Sequence, residues 1–401
     1  MDNLQDLRVN PTPDLKYLLG FIIAIGPVSV DMYLPAASAI AQEFGRSTPQ
    51  LTLAAYFAGF AVGQLTQGLI SDRFGRRAPL AAGLTIYTLA SICCALAQGT
   101  TSFCAFRVLA AFGAAASIVV PRAMVRDIAD GAKAAALMSG VMQVMSVAPV
   151  VAPVLGSVVL EVASWRMIFV VAALYGAVGL ALLFYFLPET LGRERRLSID
   201  LVASLRLFRG VLREKQFLTN ALVGTFGMGA LFAFLAGSPT VFMTQYGYTP
   251  TAYGLTLALI GAATVGFFRL NTWLVQRRGA PRVISLGVVV WLVASGYLLA
   301  CGLRPPLHSS PVFIALLVFS LGYCFIPSNT QVGALSRHAA HAASATALMS
   351  TMQYSGGAVT GALVGKLADG TVRPMAAMML CCAIAAAVAA SFRPRNAAQP
   401  V

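Results

Sequence analysis

Charge is scarce in this sequence. Of its 401 residues, 14 are acidic, 28 are basic and three are histidine, so charged side chains make up 10% of the chain. A soluble domain carries roughly a quarter. Apolar residues reach 58% and the mean hydropathy is +0.78. That balance excludes a soluble enzyme, a nucleic-acid binder and a disordered scaffold. No G-x-x-x-x-G-K-[S/T] is present, so this chain holds no phosphate-cradling loop for an ATP-driven pump. The seven cysteines form no C-x-x-C or metal-ligand spacing and read as small apolar packers. His338 and His341 have no third ligand nearby, so no metal site is expected, and no cofactor.

Long apolar runs fill the chain instead. Twelve are bounded by charges, at about 17–40, 50–70, 79–98, 102–121, 135–158, 167–187, 217–243, 251–275, 283–303, 311–333, 342–365 and 374–392. Each is long enough to cross a bilayer as a helix. Only Asp31, Arg107 and Arg269 are charges inside them. Residues 1–15 are polar and the apolar run after them is too long for a cleavable signal. An even number of spans puts both termini on one side. Of the 28 Lys and Arg, 21 fall on that side, five on the other and two within spans. By the positive-inside rule both termini are cytoplasmic. The excess of positive charge therefore reports topology, and no nucleic-acid partner is expected.

The longest connection divides the spans six and six. The expected organisation is a six-helix half at 1–187, a basic cytoplasmic linker at 188–216 and a second six-helix half at 217–401. In the linker Ile199, Leu201, Val202, Leu205, Leu207 and Leu212 alternate with Arg206, Arg209 and Arg213. Such a pattern forms a membrane-surface helix or a solvated tether. A weak repeat supports the division. SDRFGRRAPL begins at Ser71 and VQRRGAPRV at Val275. At an offset of 204, Arg73 matches Arg277 and Gly75 matches Gly279, while Asp72 becomes Gln276. Fused halves suit a transporter with its site at their interface, and one chain suffices as a monomer.

Two motifs carry mechanism. Gly68–Arg77 reads GLISDRFGRR. Gly68 lets a helix approach closely. Asp72 can accept from an opposing helix end. Arg73, Arg76 and Arg77, with Gly75 between them, can hold carboxylates or lipid phosphates. The loop reads as a conformational latch, made in one state and broken in another. In the fifth span Ala148–Ser157 reads APVVAPVLGS, in which Ala152 and Gly156 allow close packing and Pro153 bends the helix.

The first motif matches the G-x-L-x-D-R-x-G-R-R/K loop of the major facilitator superfamily. The second resembles that superfamily's antiporter motif, with Ala148, Ala152 and Ser157 where glycine is usual. Asp31-Met32-Tyr33-Leu34-Pro35-Ala36, Pro121-Arg122-Ala123-Met124-Val125-Arg126-Asp127, Met138-Ser139 and Trp165-Arg166 add to the likeness. Together they resemble the Bcr/CflA group of bacterial drug:proton antiporters, with phenicol exporters as close relatives. The resemblance implies an all-α major facilitator fold in a bacterial inner membrane. It also implies export of small antibiotics or metabolites in exchange for protons.

Asp31 is the one acid inside a span. A carboxylate in hydrocarbon must face a cavity, pair or take a proton. Pro27 and Pro35 lie four residues either side, and each frees a carbonyl, so the first span should open around the acid. Arg107 lies at a similar depth. The expectation is that Asp31 exchanges the proton while Arg107 partners it or adjusts it; a permanent ion pair is the alternative. One acid suits about one proton per cycle and a neutral or zwitterionic substrate. Arg269 is expected to snorkel. Candidate substrate contacts are Tyr33, Tyr56, Phe60, Met142 and Gln143, each of which packing explains as well. Met138, Met142 and Met145 share a face of the fifth span. A dedicated metabolite exporter or an uptake symporter is the alternative function. A membrane-embedded enzyme would need clustered acids or histidines that one intramembrane acid does not supply.

Overall fold

A computed structural model describes residues 13–196, 201–337 and 342–394. Ile199, His338 and His341 lie outside them. All the regular structure among the described residues is helical. By packing, the chain divides into two units, Met1–Ile199 with Tyr248–Gly261, and Asp200–Gly247 with Ala262–Val401. The segment 248–261 thus packs with the first unit, although its sequence position is in the second half.

Twelve spans are expected. Among the described residues ten helices are long and apolar enough to cross a bilayer, or eleven if one bent pair forms a single span. The difference falls on the eleventh expected span. Its helix Ala342–Lys366 has 25 residues, enough length at 1.5 Å per residue. Ser350, Thr351, Gln353, Ser355 and Thr360, with Gly356, Gly357 and Gly361, hold its hydropathy down.

In the first unit, the first span is broken into α1 (Pro13–Ile23), α2 (Ile25–Asp31), a 3₁₀ turn at Leu34–Ala36 and α3 (Ala37–Phe44). The chain bends by 41° at the break near Ala24. Pro27 has no N–H for the carbonyl of Ile23, and Pro35 has none for that of Asp31, so the ladder fails where the sequence says it should. Then come α4 (Thr48–Phe74), α5 (Arg77–Ala95), α6 (Thr100–Ile128), α7 (Gly131–Met145), α8 (Ala148–Val162) and α9 (Arg166–Phe186).

Helix α6 is the centre of this unit, packed against both α4 and α5. It can be central because it is small. Ala110, Ala111, Ala114, Ala115 and Ala116 are all buried. A Cβ on Gly63 would meet that of Ala115, and one on Gly113 would meet the backbone N of Tyr87 at 2.6 Å. Without a hydrophobic drive between helices in lipid, this close backbone approach is what holds them together. Large apolar side chains such as Leu89, Leu174 and Tyr185 point outward, as a lipid-facing surface requires.

The second unit comprises α10 (Leu201–Arg213), α11 (Lys215–Pro239), a π-helical turn at Thr240–Gln245, the later part of α12 (Pro250–Arg278), α13 (Ala280–Leu303), α14 (Ser310–Cys324), α15 (Pro327–Leu335), α16 (Ala342–Lys366) and α17 (Arg373–Ser391). Trp291 of α13 is fully buried against Phe319 and Tyr323. The apolar side of helix α10 packs on the second unit. Leu207, Phe208, Val211 and Leu212 pack on Phe217, Ala334 and Met349. Its arginines face outward, with Arg206, Arg209 and Arg213 exposed. The other end of the connection is also anchored, since Leu187, Thr190 and Leu191 are buried in the first unit.

Candidate functional site

Asp31 ends α2, at the opened stretch of the first span. Its side chain is half-buried. Among the described residues it forms no hydrogen bond or ion pair. The structure thus brings Asp31 and Arg107 into one unit but not into a pair, and the permanent ion pair is not formed in this state.

Arg107 has different surroundings from those its charge suggests. It is 2% exposed, on α6. Its guanidinium carbon lies 4.2 Å from the ring centre of Tyr56, 4.9 Å from that of Tyr33 and 5.7 Å from that of Phe169. Aromatic faces attract a cation, the more so when it is desolvated. Its Nε and Nη2 have no hydrogen-bond partner. A cavity of about 10 Å³ lies beside it, lined also by Ser29, Tyr87 and Ser91, which is space for about one water. Tyr87 and Ser29 share a hydrogen bond of 2.6 Å. Two of the candidate substrate contacts, Tyr33 and Tyr56, are therefore walls of the arginine's box. Tyr33 also donates to the Pro49 carbonyl at 3.0 Å, and its hydroxyl lies 2.6 Å from that of Thr52. Phe60 stacks on Tyr56 with centroids 6.1 Å apart and is buried. On α7, Met142 is half-buried and Gln143 exposed, and neither joins this group. Arg269 is exposed, as a snorkelling side chain would be.

The antiporter motif forms α8. Ala152, Pro153, Gly156 and Ser157 are buried. The break in this span lies at Ser146–Val147, ahead of Pro149, and α8 runs unbroken through Pro153. Pro149 stands in the first turn of α8, where a helix tolerates proline, and Pro153 stands inside the helix. Gly156 is needed: a Cβ there would collide with the carbonyl oxygen of Met32, the residue after Asp31. The motif thus packs directly on the opened first span. Its other side meets α12. A Cβ on Gly254 would lie 2.8 Å from the Pro153 carbonyl oxygen, and one on Gly261 2.8 Å from that of Pro149.

The Gly68–Arg77 motif closes α4, turns and opens α5. Gly75 is buried with φ of +91°, a left-handed conformation that only glycine takes easily. A Cβ there would also meet the carboxylate of Glu189. Arg76, 7% exposed in its side chain, is the hub. Its Nη1 donates to Asp72 at 2.6 Å and to Ser71 at 2.8 Å. Its Nε donates to Asp127 at 2.7 Å. Burial alone would push the Arg76 guanidinium toward losing its proton; bonds from Asp127 and Asp72 outweigh this and push its pKa up. Thr190 adds a donor to Asp127 at 3.0 Å. The α5 N-terminus is taken by Glu189, which accepts from the backbone N–H of Arg76 at 2.8 Å and of Arg77 at 3.2 Å. A carboxylate there satisfies orphan donors and the helix dipole together. Asp72 therefore binds a side chain in its own loop, and a different acid serves the helix end. Gly68 is not a close-approach position: a Cβ would find only Val119 at 3.9 Å. Arg73 lies exposed over Phe74.

Reading the sequence missed Glu189, Thr190, Gly254 and Gly261, and noted Asp127 only as part of a motif. Pro188-Glu189-Thr190 just after a span was the available signal for Glu189. Nothing local marks Gly254 or Gly261, since their role depends on the helix opposite.

The description of the Major Facilitator Superfamily matches residues 19–361. A bicyclomycin resistance protein homologue of Haemophilus influenzae is 28% identical over 376 residues, covering 93% of this chain and 94% of that one. A chloramphenicol resistance protein of Pseudomonas aeruginosa is 32% identical, covering 78% and 74%. In fold, the chain resembles the crystal structure of a bacterial homologue of the human lysosomal transporter Spinster. The TM-score is 0.74 at 15% identity, over 96% of this chain and 97% of that one. The resemblance of the sequence motifs and the helical architecture agree with these matches. The chain belongs to the major facilitator superfamily: it is a multi-pass membrane transporter and not an enzyme.

Proposed function

We propose that this chain exports small drug-like molecules across a bacterial inner membrane, driven by inward proton flow. The observation that carries the reading is Asp31. It is half-buried, it ends a broken helix in the first span, and it has no counter-ion among the described residues. A carboxyl group in that position can gain and lose a proton without first breaking an ion pair. A cation brought near a carboxylate favours its charged form. Arg107 carries two N–H groups with no partner, so it can receive the carboxylate in another state. Movement between those states would load and unload one proton per cycle as one substrate leaves. One titrating acid suits a neutral or zwitterionic substrate. The names of the two relatives support drug efflux in particular. The charge count supports cytoplasmic termini, and one chain suffices as a monomer.

Everted membrane vesicles test this. With the lumen acidified and a pH-sensitive dye inside, a panel of phenicols, bicyclomycin, sulfonamides, purines and amino acids is added. Alkalinisation that depends on the protein and disappears in Asp31→Asn is the expected result. Silence across the panel, with folded protein present, would remove drug efflux and favour a metabolite exporter or an uptake symporter. Unchanged exchange in Asp31→Asn would remove that residue's assignment.

A further inference from the structure

A second site lies at the other end of the first unit. An open groove of about 660 Å³ runs beside the start of α5 and the end of α9; its lining is apolar in Phe74, Ala78 and Phe184 and charged in Arg77, Arg193 and Arg196. We propose that this groove seats the phosphodiester headgroup of an anionic glycerophospholipid, with its acyl chains along the apolar wall. The inference is independent of proton coupling and of the exported substrate.

Charge carries the argument. Three arginines face one carboxylate, and that carboxylate is already engaged by the backbone N–H groups of Arg76, Arg77 and Leu191. Arg196 reaches Glu189 only at 3.9 Å, and its Nε is buried without a partner. The Arg193 side chain is exposed and has no hydrogen bond or ion pair among the described residues. Arg77 donates one N–H to the Phe184 carbonyl at 2.8 Å and keeps the rest of its fork free. Guanidinium forks bind phosphate bidentately. The apolar wall decides between a lipid and a soluble phosphate. Phe74 is 53% exposed and Phe184 54%, and both sit at the ends of helices apolar enough to span a bilayer. Aromatic rings beside arginines at a span's end belong at the headgroup level.

The full chain, purified in detergent, is incubated with phosphatidylglycerol, with phosphatidylcholine or with inorganic phosphate. Bound lipid is read by native mass spectrometry and Tm in parallel. Phosphatidylglycerol should be retained in preference to phosphatidylcholine and should raise Tm. Arg193→Gln with Arg196→Gln should lower that retention by roughly thirtyfold, about fivefold per arginine. Arg193→Gln alone touches nothing structural and should show its own fivefold share if the double variant folds poorly. Arg304→Gln, exposed in another loop, should change nothing. The proposal falls if the arginine variants hold phosphatidylglycerol undiminished or if phosphatidylcholine is retained equally. It falls too if inorganic phosphate alone raises Tm and displaces the lipid, which would make the groove a site for a soluble anion.

Discussion

Two loops at equivalent places in the repeat look alike in backbone and opposite in chemistry. Gly75 lies between α4 and α5 with φ of +91°; Gly279 lies between α12 and α13 with φ of +76°. Each lets one helix stop and the next begin within a few residues. Arg73 and Arg277 each lean on an aromatic ring of their own helix, Phe74 and Trp273. There the likeness ends. Gly75 is buried and Gly279 exposed. Around Gly75, Arg76 gathers Asp72, Asp127 and Ser71, and Glu189 caps the next helix. Around Gly279, Arg277 and Arg278 are exposed, Gln276 stands where the acid was, and a Cβ would meet only Pro281 at 3.9 Å. The second loop retains the turn and the topogenic charge. The first has added a buried electrostatic lock, so the turn and the latch are separable inventions.

The largest effect should come from the hub. Arg76→Met leaves Asp127 and Asp72 without their cation, and breaking a buried pair in this way costs about 3 kcal/mol. Denaturant unfolding in detergent should show that loss, with Arg277→Met within about 0.5 kcal/mol of wild type. Equal losses in both would dissolve the contrast. Next, alanine at Gly75 and at Gly279 should each cost about 1–2 kcal/mol for the left-handed backbone. Gly75→Ala should cost at least 1 kcal/mol more, because it also displaces the Glu189 cap. If Gly279→Ala is the worse of the two, Glu189 does not hold the first loop. Glu189→Gln should lower stability by about 1 kcal/mol, the worth of a charge at a helix N-terminus, and adding salt should shrink the difference. Asp72→Asn should slow turnover while leaving substrate binding intact, and Gln276→Asp should leave both unchanged. Normal turnover in Asp72→Asn would remove the latch.

How much of this could be read beforehand varies from residue to residue. The hydropathy runs located nearly every span, because crossing a bilayer demands a length and an apolarity that no neighbour can supply. The opening of the first span was legible in Pro27 and Pro35, since a missing N–H acts on its own helix. The break in the fifth span, ahead of Pro149, was not legible, because two prolines four residues apart each free a carbonyl and packing chooses between them. Gly68 was assigned a close approach that belongs to Gly63 and Gly113, since a glycine's neighbour is set by the helix across from it. The cap of α5 by Glu189 was not legible, because 113 positions separate Glu189 from Arg76 in the chain.

Composition, hydropathy period and the GLISDRFGRR motif were enough to establish a helical membrane transporter. These properties are local: each residue contributes its own transfer free energy or backbone restriction, wherever the rest of the chain goes. Folding in three dimensions settled the pairings. Arg107 went to three aromatic faces instead of to Asp31, the Arg76 side chain to acids from two different segments, and the apolar side of α10 to the second unit. A charged side chain takes the partner that burial brings within reach, and burial is a property of the packed whole.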